Sequence, residues 1–260
     1  MGRKLDNAKA LYLEGIRDGN AEEAVKKYTG DRYTQHSTGV ADGVDGFLAF
    51  FLPFIERNPE RDIRIVRGFE DGQYVFVQAY QELNGGKDKW ITTDLFDTDE
   101  NDQIIEHWDV IGPVVEQTVS GNSQIDGPTD VTDLTDTEKN KVIVQQFADE
   151  VLIGGNFDRV TEFISTDTYI QHNPLVDNGI AGFGAFAEQL AKDGRPMQYH
   201  NVFKLIGQGN FVVTYSKMSM GADEYAVFDI FRLANGLIVE HWDNMEVILP
   251  ASEWGNSGKF

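Results

Sequence analysis

The chain has 260 residues, 41% of them hydrophobic and 12% aromatic, which is enough for two packed cores and excludes a wholly disordered protein. Its 43 acidic and 22 basic residues give a formal charge of −21, which repels phosphate backbones and anionic headgroups and argues against nucleic acid and membrane surfaces as partners. The absence of cysteine excludes disulfides, a thiol nucleophile and thiolate zinc sites.

The cellular location stays open on this sequence. No apolar run approaches the roughly 20 residues needed to span a bilayer, and residues 1–6 lack the apolar core of a signal peptide. Because processing can remove an export signal, both the cytoplasm and the periplasm fit.

Helices come first in the chain. Apolar residues recur at helical spacing and predict two helices within residues 6–28, followed by a short strand at residues 32–36. After a turn, a helical stripe over residues 44–52 is predicted to end at the prolines that follow, Pro53 and Pro59.

The hydrophobic period then changes to two, which predicts strands. We expect one hairpin that turns at Asp71-Gly72 and a second that pairs residues 90–96 with residues 103–111. Helices gathered ahead of a run of strands predict an α+β fold, in which a curved antiparallel sheet wraps around the helices.

The chain repeats itself. Glu-His-Trp-Asp occurs at residues 106–109 and again at residues 240–243, and Tyr-x-Gln-His at residues 33–36 returns at residues 169–172. The offset is 134 for the first motif (241 − 107) and 136 for the second (172 − 36), so single-residue deletions in loops account for the difference. Two such motifs in the same order indicate a tandem duplication.

We therefore predict two units of the same fold, residues 1–115 and residues 136–260. The linker between them, residues 116–135, is poor in aromatic residues and rich in Gly, Ser, Thr and Asp. Packing of the two sheets against each other would form a pseudo-dimer within one chain. Assembly of several chains into a homo-oligomer is an alternative that the sequence leaves open.

The repeated tetrapeptide supplies the candidate catalytic residues. On a strand, His107 and Asp109 share one face, and His241 and Asp243 do the same in the second copy. Such groups among aliphatic neighbours are costly unless they are paired or functional.

A second acidic residue is expected on each face. A two-residue turn in the first copy would place Asp94 opposite His107, and a three-residue loop in the second would place Asp229 opposite His241. One carboxylate would fix the tautomer of the imidazole, and another, in an apolar cup, would act as a general base with a raised pKa. In the alternative interpretation, each Asp-His pair only ties two strands together.

Two further pairs, Gln35-His36 and Gln171-His172, are candidate ligand-pocket residues. Adjacent strand residues point to opposite faces, so one member of each pair is expected to reach the cup. Two His and one carboxylate could assemble a metal site, but no spacing such as His-x-Glu supports one, and the sequence has no phosphate loop or dinucleotide fingerprint. We predict no metal and no cofactor.

These motifs resemble the SnoaL-like family of the nuclear transport factor 2 and ketosteroid isomerase superfamily. The resemblance rests on the order of elements, the Tyr-x-Gln-His strand, the Asp-Gly turn before a Phe-bearing helix, and the closing Glu-His-Trp-Asp hairpin. It covers residues 5–115 and residues 136–250. It implies cone-shaped α+β units and soluble bacterial relatives that are described as aldol-condensing enzymes.

The resemblance also implies roles for individual residues. In the polyketide cyclases of the family, which use neither cofactor nor metal, the catalytic Asp lies two residues after the His of the last strand, which corresponds to Asp109 and Asp243. The assisting His of the family lies on the preceding strand, where this sequence departs from the pattern and has Asp94 and Asp229.

Two functional hypotheses follow. The first is a cofactor-independent enzyme that abstracts a proton from a small apolar carbonyl compound, in an aldol condensation, cyclisation or isomerisation, with Asp109 or Asp243 as the base. The second is a non-catalytic module that binds a small ligand or a partner. An open cavity of about 300 Å³ or more with the Asp at its floor favours catalysis, whereas a collapsed cup favours the module.

Overall fold

The computed structural model describes residues 2–260. They form two compact units: the first runs to Pro113 and also includes Leu249–Phe260, and the second is Val114–Ile248. The predicted linker therefore packs with the second unit, and the end of the chain packs with the first. Backbone hydrogen bonds from Val119 N to Pro174 O and from Gly255 N to Thr38 O explain this difference from the predicted boundaries. Within these residues, no helix has the length and apolar character that crossing a membrane requires.

Helices precede the sheet in the first unit, as predicted. The elements are α1 (Arg3–Ala10), which continues into a π-helical segment (Leu11–Arg17), α2 (Ala21–Tyr28), β1 (Thr29–Gln35), α3 (Gly43–Arg57), β2 (Arg61–Asp71), β3 (Tyr74–Leu83), β4 (Asp88–Thr98) and β5 (Ile104–Pro113). Helix α3 continues through Pro53 and ends before Pro59, so only the second proline lies beyond the helix.

The sheet of the first unit has the order β1-β5-β4-β3-β2. Strands β2 to β5 form an antiparallel meander, and β1 adds to β5 in parallel. One face packs against the helices, where side chains of α1 and α2 such as Leu5, Ala8 and Val25 are buried against Val75 and Phe96 of the sheet. This is the predicted α+β layer, with the Glu-His-Trp-Asp strand placed second from the edge.

The second unit repeats the arrangement. Its elements are a 3₁₀ turn (Leu134–Asp136), α4 (Thr137–Phe147), a π-helical segment (Ala148–Ile153), a 3₁₀ helix (Phe157–Glu162), β6 (Ile170–Gln171), α5 (Gly179–Lys192), β7 (Met197–Gln208), β8 (Phe211–Met220), β9 (Asp223–Ala234) and β10 (Leu237–Val247). The sheet order is β6-β10-β9-β8-β7, with β6 parallel to β10. Each unit therefore places its Glu-His-Trp-Asp strand at the same position in a five-stranded sheet.

The register of the closing hairpin differs from the prediction in both units. Asp94 lies opposite Asp109 rather than His107, and Asp229 lies opposite Asp243 rather than His241. The strands also carry a bulge, since the register shifts by one residue between Ile104 and Glu106 and between Ile238 and Glu240. An extra residue in one strand moves every later pairing, which the sequence pattern does not reveal.

The turn lengths were also predicted wrongly. In the second unit Leu237 pairs with Ala234, so Asn235-Gly236 forms a two-residue loop in which both residues have positive φ. In the first unit Asp99 N donates to Gln103 O, which leaves a three-residue loop that ends at Asp102 with φ 64°. The loop lengths are thus exchanged: three residues in the first unit, where two were predicted, and two in the second, where three were predicted. Residues with positive φ, Asp102 and Asn235, determine where each strand resumes.

Glycines at corresponding positions let α3 and α5 begin close to the preceding loop. A Cβ atom on Gly46 would overlap the backbone of Ala41, and a Cβ atom on Gly182 would overlap the carbonyl oxygen of Asp177. In contrast, a Cβ atom on Gly184, one half-turn further along α5, would meet no atom within 4 Å. The first turn of each helix is therefore in direct contact with the backbone of the preceding loop, and moving that backbone would cost free energy.

This contact predicts opposite effects for two alanine substitutions on one helix. We expect Gly182→Ala to lower the free energy of unfolding by about 2 kcal/mol, because the new methyl group forces the backbone apart. Gly184→Ala, the matched control, should raise it by about 0.5–1 kcal/mol through higher helix propensity. Urea unfolding measures both values, and equal stability of the two variants would contradict the close approach.

Candidate active site

Three ionisable side chains meet on one face of the first sheet. Asp94 lies on β4, directly opposite Asp109 on β5. His107, also on β5, contacts Asp94 diagonally, with its Nε2 2.9 Å from Asp94 Oδ1. Its Nδ1 lies 2.9 Å from Oε1 of Gln35, the last residue of β1. The fold thus brings four of the predicted site residues together.

The ring of His107 is held between two oxygen acceptors. A neutral imidazole donates from only one nitrogen, so both hydrogen bonds form together when the ring carries two protons. The positive charge of that form acts to lower the pKa of both Asp94 and Asp109, whereas burial acts to raise both. The ring is therefore held in one orientation between Asp94 and Gln35.

A tyrosine adds a donor to this cluster. Tyr12, from the π-helical segment, donates from Oη to Asp94 Oδ1 at 2.8 Å and lies 3.0 Å from Thr92 Oγ1. Burial raises the pKa of Asp94, and the facing charge of Asp109 raises it further, so the net shift is upward despite the hydrogen bonds from His107 and Tyr12. Asp94 Oδ2 is buried and has no hydrogen-bond partner within residues 2–260. This oxygen is the position that a proton would take in the neutral form of Asp94.

Asp109 has a different environment. Its carboxylate Oδ1 accepts a hydrogen bond from Lys259 Nζ at 2.9 Å, and its backbone oxygen accepts another at 3.0 Å. Burial acts to raise the pKa of Asp109, but the Lys259 ammonium and the His107 ring outweigh it and hold the pKa below its usual value. The two facing carboxyl groups therefore have their pKa values moved in opposite directions.

The cluster lines a cavity of about 360 Å³ in the first unit. Helix α3 lines it with four phenylalanines at helical spacing: Phe47, Phe50, Phe51 and Phe54. Tyr12, Tyr33, Trp90 and Phe96 complete an aromatic wall. Asp94, His107, Asp109 and Gln35 line the same space. A largely apolar cavity with a few convergent polar groups has the character of a small-molecule site.

The second unit contains the same polar arrangement. His241 Nε2 lies 3.0 Å from Asp229 Oδ1, and its Nδ1 lies 2.9 Å from Gln171 Oε1. The phenol that contacts Asp229 comes from Tyr199 on β7 at 3.1 Å, and not from the first helix as in the first unit. Burial raises the pKa of Asp243 to about 6, and the negative charge of Asp229 adds to the effect.

No lysine contacts Asp243 within the described part of the second unit. Its Oδ2 accepts instead from Asn173 Nδ2 at 2.6 Å. The pKa of His241 is raised: burial acts to lower it, but the hydrogen bond to Asp229 and the charges of both acids prevail. In this unit the His241 ring is therefore the positive group beside the two acids, and the raised pKa of Asp243 favours its neutral form.

The cavity of the second unit is much smaller, at about 40 Å³. All four methionines that follow Met1 in the sequence line it: Met197, Met218, Met220 and Met245. Unbranched, flexible thioether side chains fill irregular space well. Asp229, His241 and Asp243 thus face a nearly filled interior, in contrast to the open cavity beside Asp109.

The two predicted pocket histidines lie on the other face of the sheet. His36 Nε2 lies 2.9 Å from Glu106 Oε1, its Nδ1 lies 2.7 Å from Gly258 O, and its ring stacks on Trp108 with centroids 4.9 Å apart. His172 repeats this arrangement, with Nε2 2.9 Å from Glu240 Oε1. Of the Gln-His pairs, therefore, the glutamines reach the cavities. The histidines stack on Trp108 and Trp242 and contact the backbone oxygens of Gly258 and Ser123.

Sequence reasoning missed three residues of these clusters: Tyr12, Tyr199 and Lys259. The phenols come from unrelated positions, so no repeat reveals them. For Lys259 a signal exists, because Gly-Asn-Ser occurs at residues 121–123 and 255–257, an offset of 134 (255 − 121) that matches the repeated tetrapeptide. The last residues of the chain are thus part of the duplicated pattern.

A cation is a poor fit to the first cluster. The donor atoms of Asp94, His107 and Asp109 lie within 4.8 Å of one another, as do those of the second cluster. In the first, however, the Lys259 ammonium already occupies the charge-balancing position 2.9 Å from Asp109. We therefore assign no metal ligand in the first cluster.

Comparison with known proteins gives one family. A family model described as the SnoaL-like domain matches residues 144–241, which lie within the second unit and cover less than half of the chain. A search of curated proteins found no match.

Solved structures with partial similarity come from several bacteria. A candidate polyketide cyclase from Bacillus cereus has 15% identity over 42% of this chain and 73% of its own, with a TM-score of 0.37. A candidate ketosteroid isomerase from Kribbella flavida has 18% identity over 44% of this chain and 84% of its own, with a TM-score of 0.37. A candidate SnoaL-like polyketide cyclase from Jannaschia has 20% identity over 42% and 84%, with a TM-score of 0.36.

The first unit has the same order of helices and strands as the second, and within the second unit the chain carries a SnoaL-like domain.

Proposed function

We propose that the first unit is a cofactor-independent acid/base enzyme that abstracts a proton next to the carbonyl of a small apolar compound. The observation that carries the proposal is the aromatic cavity of about 360 Å³ that two facing carboxyl groups help to line. Two acids whose environments move their pKa values apart are the usual arrangement of a base and an acid at one site.

Asp109 is the base in this proposal. Its lowered pKa keeps it ionised, and at 4% exposure it lines the cavity where bulk water is scarce. The carboxylate takes the proton from the carbon next to the carbonyl, the C–H electron pair forms the C=C bond of an enolate, and the carbonyl oxygen becomes an oxyanion.

Asp94 is the matching acid. Its raised pKa favours the protonated carboxyl, and Oδ2 has no other partner among residues 2–260. A hydrogen bond from this group to the oxyanion would stabilise the enolate, with Tyr12 and His107 holding the carboxyl in place. Return of the proton to a different carbon gives isomerisation, and attack of the enolate on a second carbonyl gives an aldol product.

The second unit is proposed to be inactive. It has the same Asp-His-Asp cluster, but its cavity of about 40 Å³ holds no more than a water molecule or two. Its role in the proposal is structural, and its residues serve as matched controls for those of the first unit.

One observation favours the alternative, a ligand-binding module without chemistry. The buried ion pair with Lys259 makes Asp109 a weaker base than a carboxylate with a raised pKa. Binding of an apolar ketone without any proton abstraction would support this second function.

One prediction from the proposed function concerns proton abstraction. We expect the protein to catalyse deuterium exchange at the benzylic α-carbon of 2-tetralone in D₂O, a small aromatic ketone that fits the cavity. Asp109→Asn should lower the rate by at least about 100-fold, because an amide cannot accept the proton. Asp243→Asn is the matched control and should leave exchange unchanged. Proton NMR follows the exchange, and equal rates for both variants and the unaltered protein would refute Asp109 as the base.

The second prediction concerns stability and pH. Because the pKa of Asp243 is about 6 in the folded chain and lower in the unfolded one, its protonated form stabilises the fold at low pH. That stabilisation is lost as pH rises through 6. Asp243→Asn should therefore gain about 2–3 kcal/mol relative to the unaltered protein between pH 4 and pH 8.

Urea unfolding at several pH values measures this change. Asp167→Asn, on an exposed turn of the same unit, controls for the altered net charge. A difference between Asp243→Asn and the unaltered protein that stays constant with pH would show that Asp243 titrates normally.

A further inference from the structure

The contact between Lys259 and Asp109 is fully enclosed. The two residues are 2% and 4% exposed, and the ammonium donates to both the carboxylate and the backbone oxygen of Asp109. A lysine removed from water in this way is retained only where charge and hydrogen bonds compensate for lost hydration. Removal of either partner would leave a buried charge uncompensated.

The pairing of β4 with β5 does not by itself determine which of the two facing acids is ionised. Asp94 and Asp109 lie opposite each other in the register, and both are buried. Like charges at this distance in an apolar interior disfavour double ionisation, so one carboxyl tends to hold a proton. His107 contacts Asp94 directly, which by itself would favour Asp94 as the ionised group.

The second unit provides the comparison without the lysine. Its His241 contacts Asp229 in the same diagonal geometry, and Asp243 has Asn173 as its partner in place of a cation. There burial raises the pKa of Asp243, the acid that follows the histidine, to about 6. The two clusters share Gln, His and both acids, and the buried cation is the difference in charge between them.

We propose that Lys259 is a positioning residue that selects Asp109, rather than Asp94, as the ionised carboxylate of the first unit. The ammonium fixes the Asp109 carboxylate through Oδ1 and leaves the proton to Asp94. The relevance of this inference to catalysis rests on the proposed function, because Lys259 would keep the proposed base, Asp109, ionised. The ionisation state itself can be measured whether or not the site is catalytic.

The other charged or titratable groups that face Asp109 come from four elements. Asp94 on β4 and His107 on β5 flank it, and the phenols of Tyr12 and Tyr33 sense its charge from the π-helical segment and from β1. Burial raises the pKa of both phenols, which keeps them neutral. Lys259 is thus the one cation besides His107 that acts on Asp109 among the described residues.

The experiment is a carboxyl-carbon NMR titration of the full chain with ¹³C-labelled aspartate. Signals are assigned with Asp109→Asn, Asp94→Asn and Asp243→Asn. In Lys259→Met we expect the pKa of Asp109 to rise toward the value of about 6 that Asp243 has, while the pKa of Asp243 stays unchanged. Lys259→Arg should keep Asp109 ionised. Lys192→Met, which removes an exposed lysine, controls for the change in net charge.

A second variant guards against loss of folding. Lys259→Gln retains an amide donor for the Asp109 oxygens but carries no charge, so it should fold where Lys259→Met does not and should still raise the pKa of Asp109. An unchanged Asp109 titration in a folded Lys259→Met or Lys259→Gln chain would overturn the proposal.

The 2-tetralone exchange assay separates this inference from the proposed function. If both hold, the acid limb of the rate profile of the folded Lys259 variant moves to higher pH by the shift seen in the titration. Exchange should fall at least 10-fold at pH 5 and stay within about threefold of the unaltered protein at pH 8, a pattern that a merely structural lysine would not give. A shifted Asp109 titration with no exchange in the unaltered protein would support the role of Lys259 and refute the enzyme.

Discussion

Two carboxylates placed directly opposite each other inside an apolar core are the constraint on which both sites depend. Each unit meets it with a histidine that bridges to one acid and to a glutamine of the short parallel strand. One imidazolium cannot balance two carboxylates, so a further positive charge or a proton is required. The first unit supplies the ammonium of Lys259, and the second lets Asp243 keep a proton up to a pH of about 6.

The difference in charge balance accompanies a difference in space. Beside Asp109, the aromatic residues of α3 line a cavity of about 360 Å³. Beside Asp243, four methionines line a cavity of only about 40 Å³. A polar cluster next to open apolar space can meet a ligand, while the same cluster next to packed thioethers can only hold strands together. The chain thus contains one such cluster beside an open cavity and one beside a nearly filled interior, and each serves as a control for the other.

Much of this architecture was predictable because its signals are local. The change of hydrophobic period from helical to alternating predicted the α+β layer, and the repeated Glu-His-Trp-Asp predicted two similar sheets. The common face of His107 and Asp109 followed from strand alternation. The register did not follow, because bulges next to Glu106 and Glu240 and positive φ values at Asp102 and Asn235 shift every later pair. The predicted contact of His107 with Asp94 forms diagonally instead.

By itself, then, the sequence determined the repeat, the order of elements and the face on which the histidines and acids lie, since these depend on neighbours a few residues apart. Only the tertiary structure decided which acid contacts the lysine, which cavity is open and which segments complete each unit. Lys259 lies 150 positions from Asp109, and Tyr12 lies 82 positions from Asp94. Contacts at such separations arise from packing of whole elements, and no local periodicity encodes them.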